Sequence, residues 1–280
     1  MRCGKKLDLE ILKKDDEIQE GFLSCTNCHL NFPIVGTVPI LWDDFAIYLT
    51  NRPRLGGDLY TKASSAKLKA YIKKSLGKIK KTRTDLSVVE KRWASIYEKN
   101  KTSQFYRMIK KSIGRTSGVA LEHGCSIGIM TSHLAESCQH VFGIDKSYYA
   151  IEIAKKSAAD NLDYFVADSL LHPFGKTKFD CVLGLNLLEI IEPADLLGVL
   201  VGQVKKHGTL VLSDPYDFER GERSIKEPMY AQDIRKLVTK NNLAISARTR
   251  KPSFYPWRLN LHERARLEYK VDLVIAKKFT

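Results

Sequence analysis

One stretch limits the fold more than any other: Val119-Ala-Leu-Glu-His-Gly-Cys-Ser-Ile-Gly128, followed by Val141-Phe-Gly-Ile-Asp145. A short apolar run enters a glycine-rich turn, a helical pattern follows, and a second apolar run ends in an acid. Asp145 lies 17 residues past Gly128 and 21 past Gly124. That spacing suits a βαβ unit in which small residues let the backbone approach a nucleotide and the acid accepts two ribose hydroxyls. The glycines do not read Gly-x-Gly-x-x-Gly, so the dinucleotide fingerprint is absent.

The pattern continues. Apolar runs at 118–122, 140–144, 162–166, 179–185, 208–213 and 270–276 alternate with helical periodicity near 127–137, 147–159, 193–204 and 229–241. Strands alternating with helices predict a mostly parallel sheet covered on both faces. Glu122-x-Gly124-x-Ser126-x-Gly128 resembles the acidic glycine-rich motif of class I S-adenosylmethionine-dependent methyltransferases, with Ser126 in place of the middle glycine. The resemblance covers about 165 residues. It implies an α/β, doubly wound, mostly parallel seven-stranded sheet, the Rossmann-like methyltransferase fold, and S-adenosylmethionine as cofactor.

By that resemblance, Gly124 and Gly128 line the methionine end of the cofactor, and the amides opening the helix at Ile127 face its carboxylate. Glu122 fixes the turn, and Asp145 takes the ribose. Asp168 and Ser169, after the run Tyr164-Phe-Val-Ala, meet the adenine, although an acid there can also simply cap the next helix. Asn186, at the end of Phe179-Asp-Cys-Val-Leu-Gly-Leu, faces both methyl donor and acceptor. Cys125 and Cys181 read as buried small apolar side chains.

The turn also reads Gly124-x-Ser126-x-Gly128, the nucleophile elbow of α/β-hydrolases, and Asp214 and His262 follow in triad order. A hydrolase elbow comes after several core strands, however, and the upstream residues here are basic and helical. An acid ending the next strand also has no role in a hydrolase.

Three regions are expected: a small β-rich module over 1–45, a basic helical connector over 46–115 and the methyltransferase domain over 116–280. In the first, Cys3 and Cys25-x-x-Cys28 have the spacing of a zinc ribbon whose first pair is incomplete. The tail FPIVGTVPIL resembles small zinc-binding domains fused to, or activating, some methyltransferases. The missing cysteine would fall immediately before Met1, so the fourth ligand is absent, supplied by His29, or lost through a late start. His29 directly follows Cys28 and is badly placed to share its ion. The expectation is that Cys3, Cys25 and Cys28 cluster with no tightly held zinc, or with water as fourth ligand. Cys25-x-x-Cys28-His29 also matches a c-type haem motif formally, but no export signal accompanies it.

The chain has 280 residues, 44% hydrophobic and 28% charged, with a net charge of +14. No apolar run approaches the ~18 residues of a membrane span, no apolar signal core opens the chain, and the cytoplasm is the expected compartment. Between 64 and 115, sixteen Lys or Arg stand against three acids. Such a block can meet RNA phosphates or an acidic partner, but Leu68, Ile72, Leu76 and Ile79 at helical spacing favour an amphipathic helix with a solvated basic face. Trp93, Ile96, Tyr97, Phe105, Tyr106 and Ile109 are placed where helices can cover a site.

Substrate-side candidates follow the fifth strand of the domain and lie late in the chain: Asp214, Tyr216, Trp257, His262 and Arg266, of which Asp214, Tyr216 and His262 are the catalytic candidates. A competing reading makes His262 and its neighbours a salt-bridged helix on the sheet. The expected function is methyl transfer to an acceptor, a small molecule favoured. The alternatives are an rRNA or tRNA methyltransferase using the basic segment, and a non-catalytic cofactor-binding interaction protein.

Overall fold

The structure, a computed structural model, describes residues 3–80, 84–157, 159–219 and 225–279. Lys81 and Arg83 of the basic segment lie outside the described residues. The chain opens with β1 (Asp8–Lys14), β2 (Ile18–Cys25), β3 (Leu30–Val35) and β4 (Val38–Pro39), an antiparallel sheet in that order. Five helices follow: α1 (Phe45–Thr50), α2 (Pro53–Lys62), α3 (Ala66–Leu76), α4 (Leu86–Lys99) and α5 (Gln104–Ile113). On α3 the apolar stripe is real: Leu68 and Ile72 are fully buried while Lys73 and Lys74 are exposed. Burial of each such side chain stabilises the packing by about 1.5–3 kcal/mol.

The remaining strands and α-helices among the described residues are β5 (Val119–His123), α6 (Ile129–Ala135), β6 (His140–Asp145), α7 (Tyr148–Lys155), β7 (Leu162–Val166), β8 (Phe179–Leu185), α8 (Pro193–Gln203), β9 (Val204–Asp214), α9 (Ala231–Lys240), β10 (Leu243–Ile245), β11 (Tyr255–His262) and β12 (Ala265–Lys278). The sheet runs β7-β6-β5-β8-β9-β12-β10, parallel from β7 to β9, with β12 antiparallel to both neighbours. This is the Rossmann-like methyltransferase fold with a separate antiparallel N-terminal sheet.

Beyond the expected seven strands, β11 pairs with the first half of β12. Residues 255–262 are therefore one arm of a hairpin, not part of a helix. Trp257 and Leu259 are buried while Arg258 and Asn260 are exposed, the two-residue alternation of a half-covered strand.

The central strands are buried on both faces. On β5, Ala120 joins the core shared with α4–α7 and the N-terminal module, and Leu121 joins the core beneath α8 and α9. The alternation carries Glu122 to the first face and His123 to the second. Chain order reverses between β5 and β8, which opens a crevice at their carboxyl ends.

The N-terminal module is joined to this edge. Leu41 N donates to Val166 O at 2.8 Å, and Ile40 bridges Val166 in parallel, so the module caps the otherwise open strand β7. The Glu20 carboxylate accepts from the Ser64 amide and hydroxyl and the Ser65 amide, tying β2 to the start of α3.

Candidate active site

The crevice holds a cleft of about 720 Å³. Its floor is the turn after β5. Gly124 (φ +62°), Ser126 (φ +50°) and Gly128 (φ +76°) are all left-handed there, which reverses the chain within four residues. The Cys125 amide donates to Ile144 O at 2.9 Å and the Ser126 amide to Asp145 Oδ2 at 2.9 Å. Asp145 Oδ1 accepts from the Ser147 amide at 2.8 Å. Asp145 thus clamps the turn after β5 to the start of α7. Burial pushes its pKa up, against the pull of these two amides.

Seven of the eight expected cofactor residues line the cleft: Glu122, Gly124, Ser126, Asp145, Asp168, Ser169 and Asn186. Gly128 does not. A Cβ there would lie 2.2 Å from Tyr164 Oη, so packing under the turn demands its glycine. A Cβ on Gly124 would likewise sit 2.4 Å from a Leu187 methyl. Glu122 is 3% exposed, and Thr131 Oγ1 donates to its Oε2 at 2.7 Å. Burial lifts its carboxyl to about 8.

Asp168 Oδ1 accepts from the Leu170 amide at 2.7 Å and the Leu171 amide at 3.2 Å, which shapes the turn after β7. Asn186 (φ +55°) donates its amide to Ser213 O and accepts from Ser213 Oγ at 2.9 Å.

The roof is the connector. Trp93 and Tyr97 of α4 and Phe105 and Tyr106 of α5 line the cleft, whereas Ile96 and Ile109 point into the core. Glu90 of α4 also lines it, held by Arg52: Nη2 donates at 2.6 Å and Nε at 3.0–3.1 Å. The Arg52 guanidinium lies 4.4 Å from the Tyr48 ring centroid, and Tyr48 Oη donates to Lys146 O at 3.0 Å. This chain fixes the roof to the loop carrying Asp145.

The structure does not bring Asp214, Tyr216 or His262 to the cleft. Asp214 is buried and accepts from the amides of Leu188 and Tyr216, both at 2.8 Å. Tyr216 donates to Asp272 Oδ2 at 2.9 Å. His262 and Arg266 are exposed at the β11–β12 hairpin, and of the late candidates Trp257 lines the cleft. No Ser–His–Asp triad assembles, because Ser126 Oγ is buried with no hydrogen-bond partner among the described residues. His123 faces away from the cleft, 2.7 Å from Gln203 Oε1, and burial pulls it down to about 3, so it is neutral at pH 7. Cys125 is buried, which pushes its thiol up and leaves it un-ionised.

Glu189, Asp217 and Phe218 were not singled out from sequence, yet all line the cleft. Glu189 closes the same run as Asn186. That position, one helical turn past the strand end, was the available signal.

The methyltransferase domain family matches residues 121–212, the span from β5 to β9 that frames the cleft. That match and the sheet topology together mark residues 121–212 as a methyltransferase domain. Over 101 residues the chain is 38% identical to a mitochondrial ubiquinone biosynthesis O-methyltransferase of Schizosaccharomyces pombe. That match covers 33% of this chain and 36% of the relative, so the chain spans about a third of the curated relative's length.

Two solved structures share the methyltransferase fold at 13% identity and a TM-score of 0.51 each. A putative methyltransferase of Bacillus halodurans covers 62% of this chain with 99% of its own. The complex between a Haloferax volcanii methyltransferase activator and its putative methyltransferase covers 67% with 95%.

S-adenosylmethionine is the cofactor of such a domain, and the cleft fits it. The left-handed turn presents backbone at the cleft floor, the orphaned Ser126 hydroxyl sits within that turn, and the acids Asp145 and Asp168 flank it. At the other end of the chain, Cys3, Cys25 and Cys28 hold their sulfurs within 4.8 Å of one another. Hydrogen bonding with Cys28 draws Cys3 down to about 7, and the same contact lifts Cys28 to about 11.

Proposed function

We propose that this protein transfers the methyl group of S-adenosylmethionine to a small-molecule acceptor. The observation that carries the reading is the enclosure of the cleft: catalytic-domain acids form its floor and the rings of α4 and α5 its roof. Asp145 would hold the ribose hydroxyls, Asp168 and Ser169 the adenine, and Glu122 the amino end of the methionine. The cofactor supplies an activated methyl on a sulfonium. Once bound, that methyl would be offered to the acceptor's lone pair, with the leaving electrons kept on sulfur and the acceptor's proton passing to a base or to water.

The protein's task is to align the acceptor and exclude water. Both fall to the aromatic roof, braced by Arg52 and Glu90. Glu189, buried at the cleft wall, is placed to receive the proton. A small acceptor is favoured over RNA because Lys146 is the single cation among the described residues lining the cleft, and a phosphate backbone has little to meet there. The matched O-methyltransferase agrees with a small acceptor. We further read Cys3, Cys25 and Cys28 as three zinc ligands completed by water. Thiolates about 2.3 Å from one ion are compatible with their spacing.

Calorimetry with S-adenosylhomocysteine tests the central claim. Asp145→Ala removes a charged bidentate contact, expected to weaken binding by about 2–3 kcal/mol. No binding to wild type, or equal affinity in a variant shown by circular dichroism to be folded, refutes it. Tight cofactor binding without homocysteine-product formation in a cell extract would instead favour an interaction protein.

A further inference from the structure

The acceptor end of the cleft has a chemistry that the cofactor does not explain. Trp93, Tyr97, Phe105, Tyr106 and Trp257 all line it. Their rings run in a connected series: Trp93 to Tyr97 at 5.6 Å, Tyr97 to Trp257 at 6.2 Å with planes 6° apart, and Trp257 to Phe105 at 5.3 Å. Phe105 is fully buried, but Trp93, Tyr97 and Tyr106 keep accessible surface. Four of these rings come from the consecutive helices α4 and α5, and Trp257 joins them from β11, far along the chain.

A second observation lies in the same wall. Trp257 is 3% exposed, and its indole Nε1 has no hydrogen-bond partner among the described residues. A buried N–H without an acceptor is uncommon, and each one calls for an explanation. A ligand oxygen or ring nitrogen that shifts a neighbouring roof side chain to reach it would provide the acceptor.

The third observation is charge. Seven carboxylates line the cleft, against Lys146 and no arginine or histidine among the described residues. Glu90 is neutralised by Arg52, and Glu122 stays protonated at pH 7. Asp145, Asp168, Glu189, Glu192 and Asp217 complete the acidic lining. The cleft is therefore acidic inside a chain of net charge +14. In a partly desolvated site like charges repel strongly, whereas a cation over a ring face is attracted.

We infer that the acceptor is a flat aromatic molecule with no negative charge, bound against the Tyr97–Trp257 pair and accepting a hydrogen bond from Trp257 Nε1. This rests on the methyltransferase reading of the cleft and adds the substrate class. Acidic aromatics and saturated rings are the excluded classes.

Four probes that share a vicinal diol separate these possibilities: catechol, dopamine, 3,4-dihydroxybenzoate and cyclohexane-1,2-diol. Each is titrated by calorimetry into the full chain saturated with S-adenosylhomocysteine, whose own affinity is measured first. Catechol and dopamine are expected to bind at least about tenfold more tightly than dihydroxybenzoate, with no saturable binding of the cyclohexanediol. Trp257→Phe keeps a ring and removes the N–H. It is expected to weaken catechol about tenfold, while the homocysteine-product affinity of the variant reports that it is folded.

Equal or tighter binding of dihydroxybenzoate, equal binding of the saturated diol, or no probe binding at all overturns the inference while the cofactor result stands. If S-adenosylhomocysteine itself fails to bind wild type, the underlying reading is what falls.

Discussion

Replacing Glu122 by Gln should make the protein more stable at neutral pH than the native chain, and by an amount that grows with pH. Glu122 is 3% exposed, and burial raises its carboxyl to about 8. In an unfolded chain a glutamate titrates near ~4.3. Between these values the unfolded state has released a proton that the folded state keeps. The folded pKa is raised, so for an acid the sign is unfavourable: the cost is absent below about pH 4, grows by about 1.4 kcal/mol per pH unit, and levels off above about pH 8.

From about pH 5 to pH 7.5 the accumulated cost is about 3 kcal/mol. Gln does not titrate and keeps an oxygen for the Thr131 hydroxyl, so the variant escapes the cost while all other titrations cancel in the comparison. Urea denaturation of both proteins at the two pH values should show the variant gaining about 3 kcal/mol on wild type as pH rises. In thermal melts each kcal/mol corresponds to roughly 2–4 °C. Parallel stability curves would mean that Glu122 is ionised in the folded protein, and the reasoning from burial would fail. Calorimetry in buffers of different ionisation enthalpy adds a second readout: a cationic amine brought to Glu122 should release a proton on binding to wild type and none in the variant.

Gly128→Ala places a Cβ 2.2 Å from Tyr164 Oη at a φ of +76°, so it should lower stability by about 1–3 kcal/mol. An unchanged thermal midpoint would show that the turn relaxes freely. Zinc added to reduced protein should bind one ion per chain through Cys3, Cys25 and Cys28, be removed by excess EDTA, and be lost in Cys25→Ser. Retention against the chelator would reveal a fourth protein ligand and refute the water-completed site.

Some of this was local and therefore legible in the sequence. The turn from Gly124 to Gly128 and the acid at Asp145 belong to one βαβ unit, where the periodicity and the need for small residues are set by neighbours in the chain. The strand and helix pattern from β5 to β9 was readable for the same reason, and so was the clustering of Cys25 and Cys28, three residues apart. β10 was missed because three residues carry no period. β11 was missed although its Trp257–Leu259 alternation was present, because Pro256 and the charged hairpin tip obscured it.

What tertiary structure alone decided is which side chains share the cleft. Asp214 stands at a strand end, as a substrate-side acid should, but the amides of Leu188 and Tyr216 claim both its oxygens, and no local pattern records that. Arg52 and Glu90 are 38 residues apart, and Tyr97 and Trp257 160 apart. Each gains its role only when α2, α4 and β11 close over the sheet. Propensity and periodicity act over a few residues and so dictate elements. An acceptor site is made by contacts between elements, whose free energy is realised only once the whole core has packed.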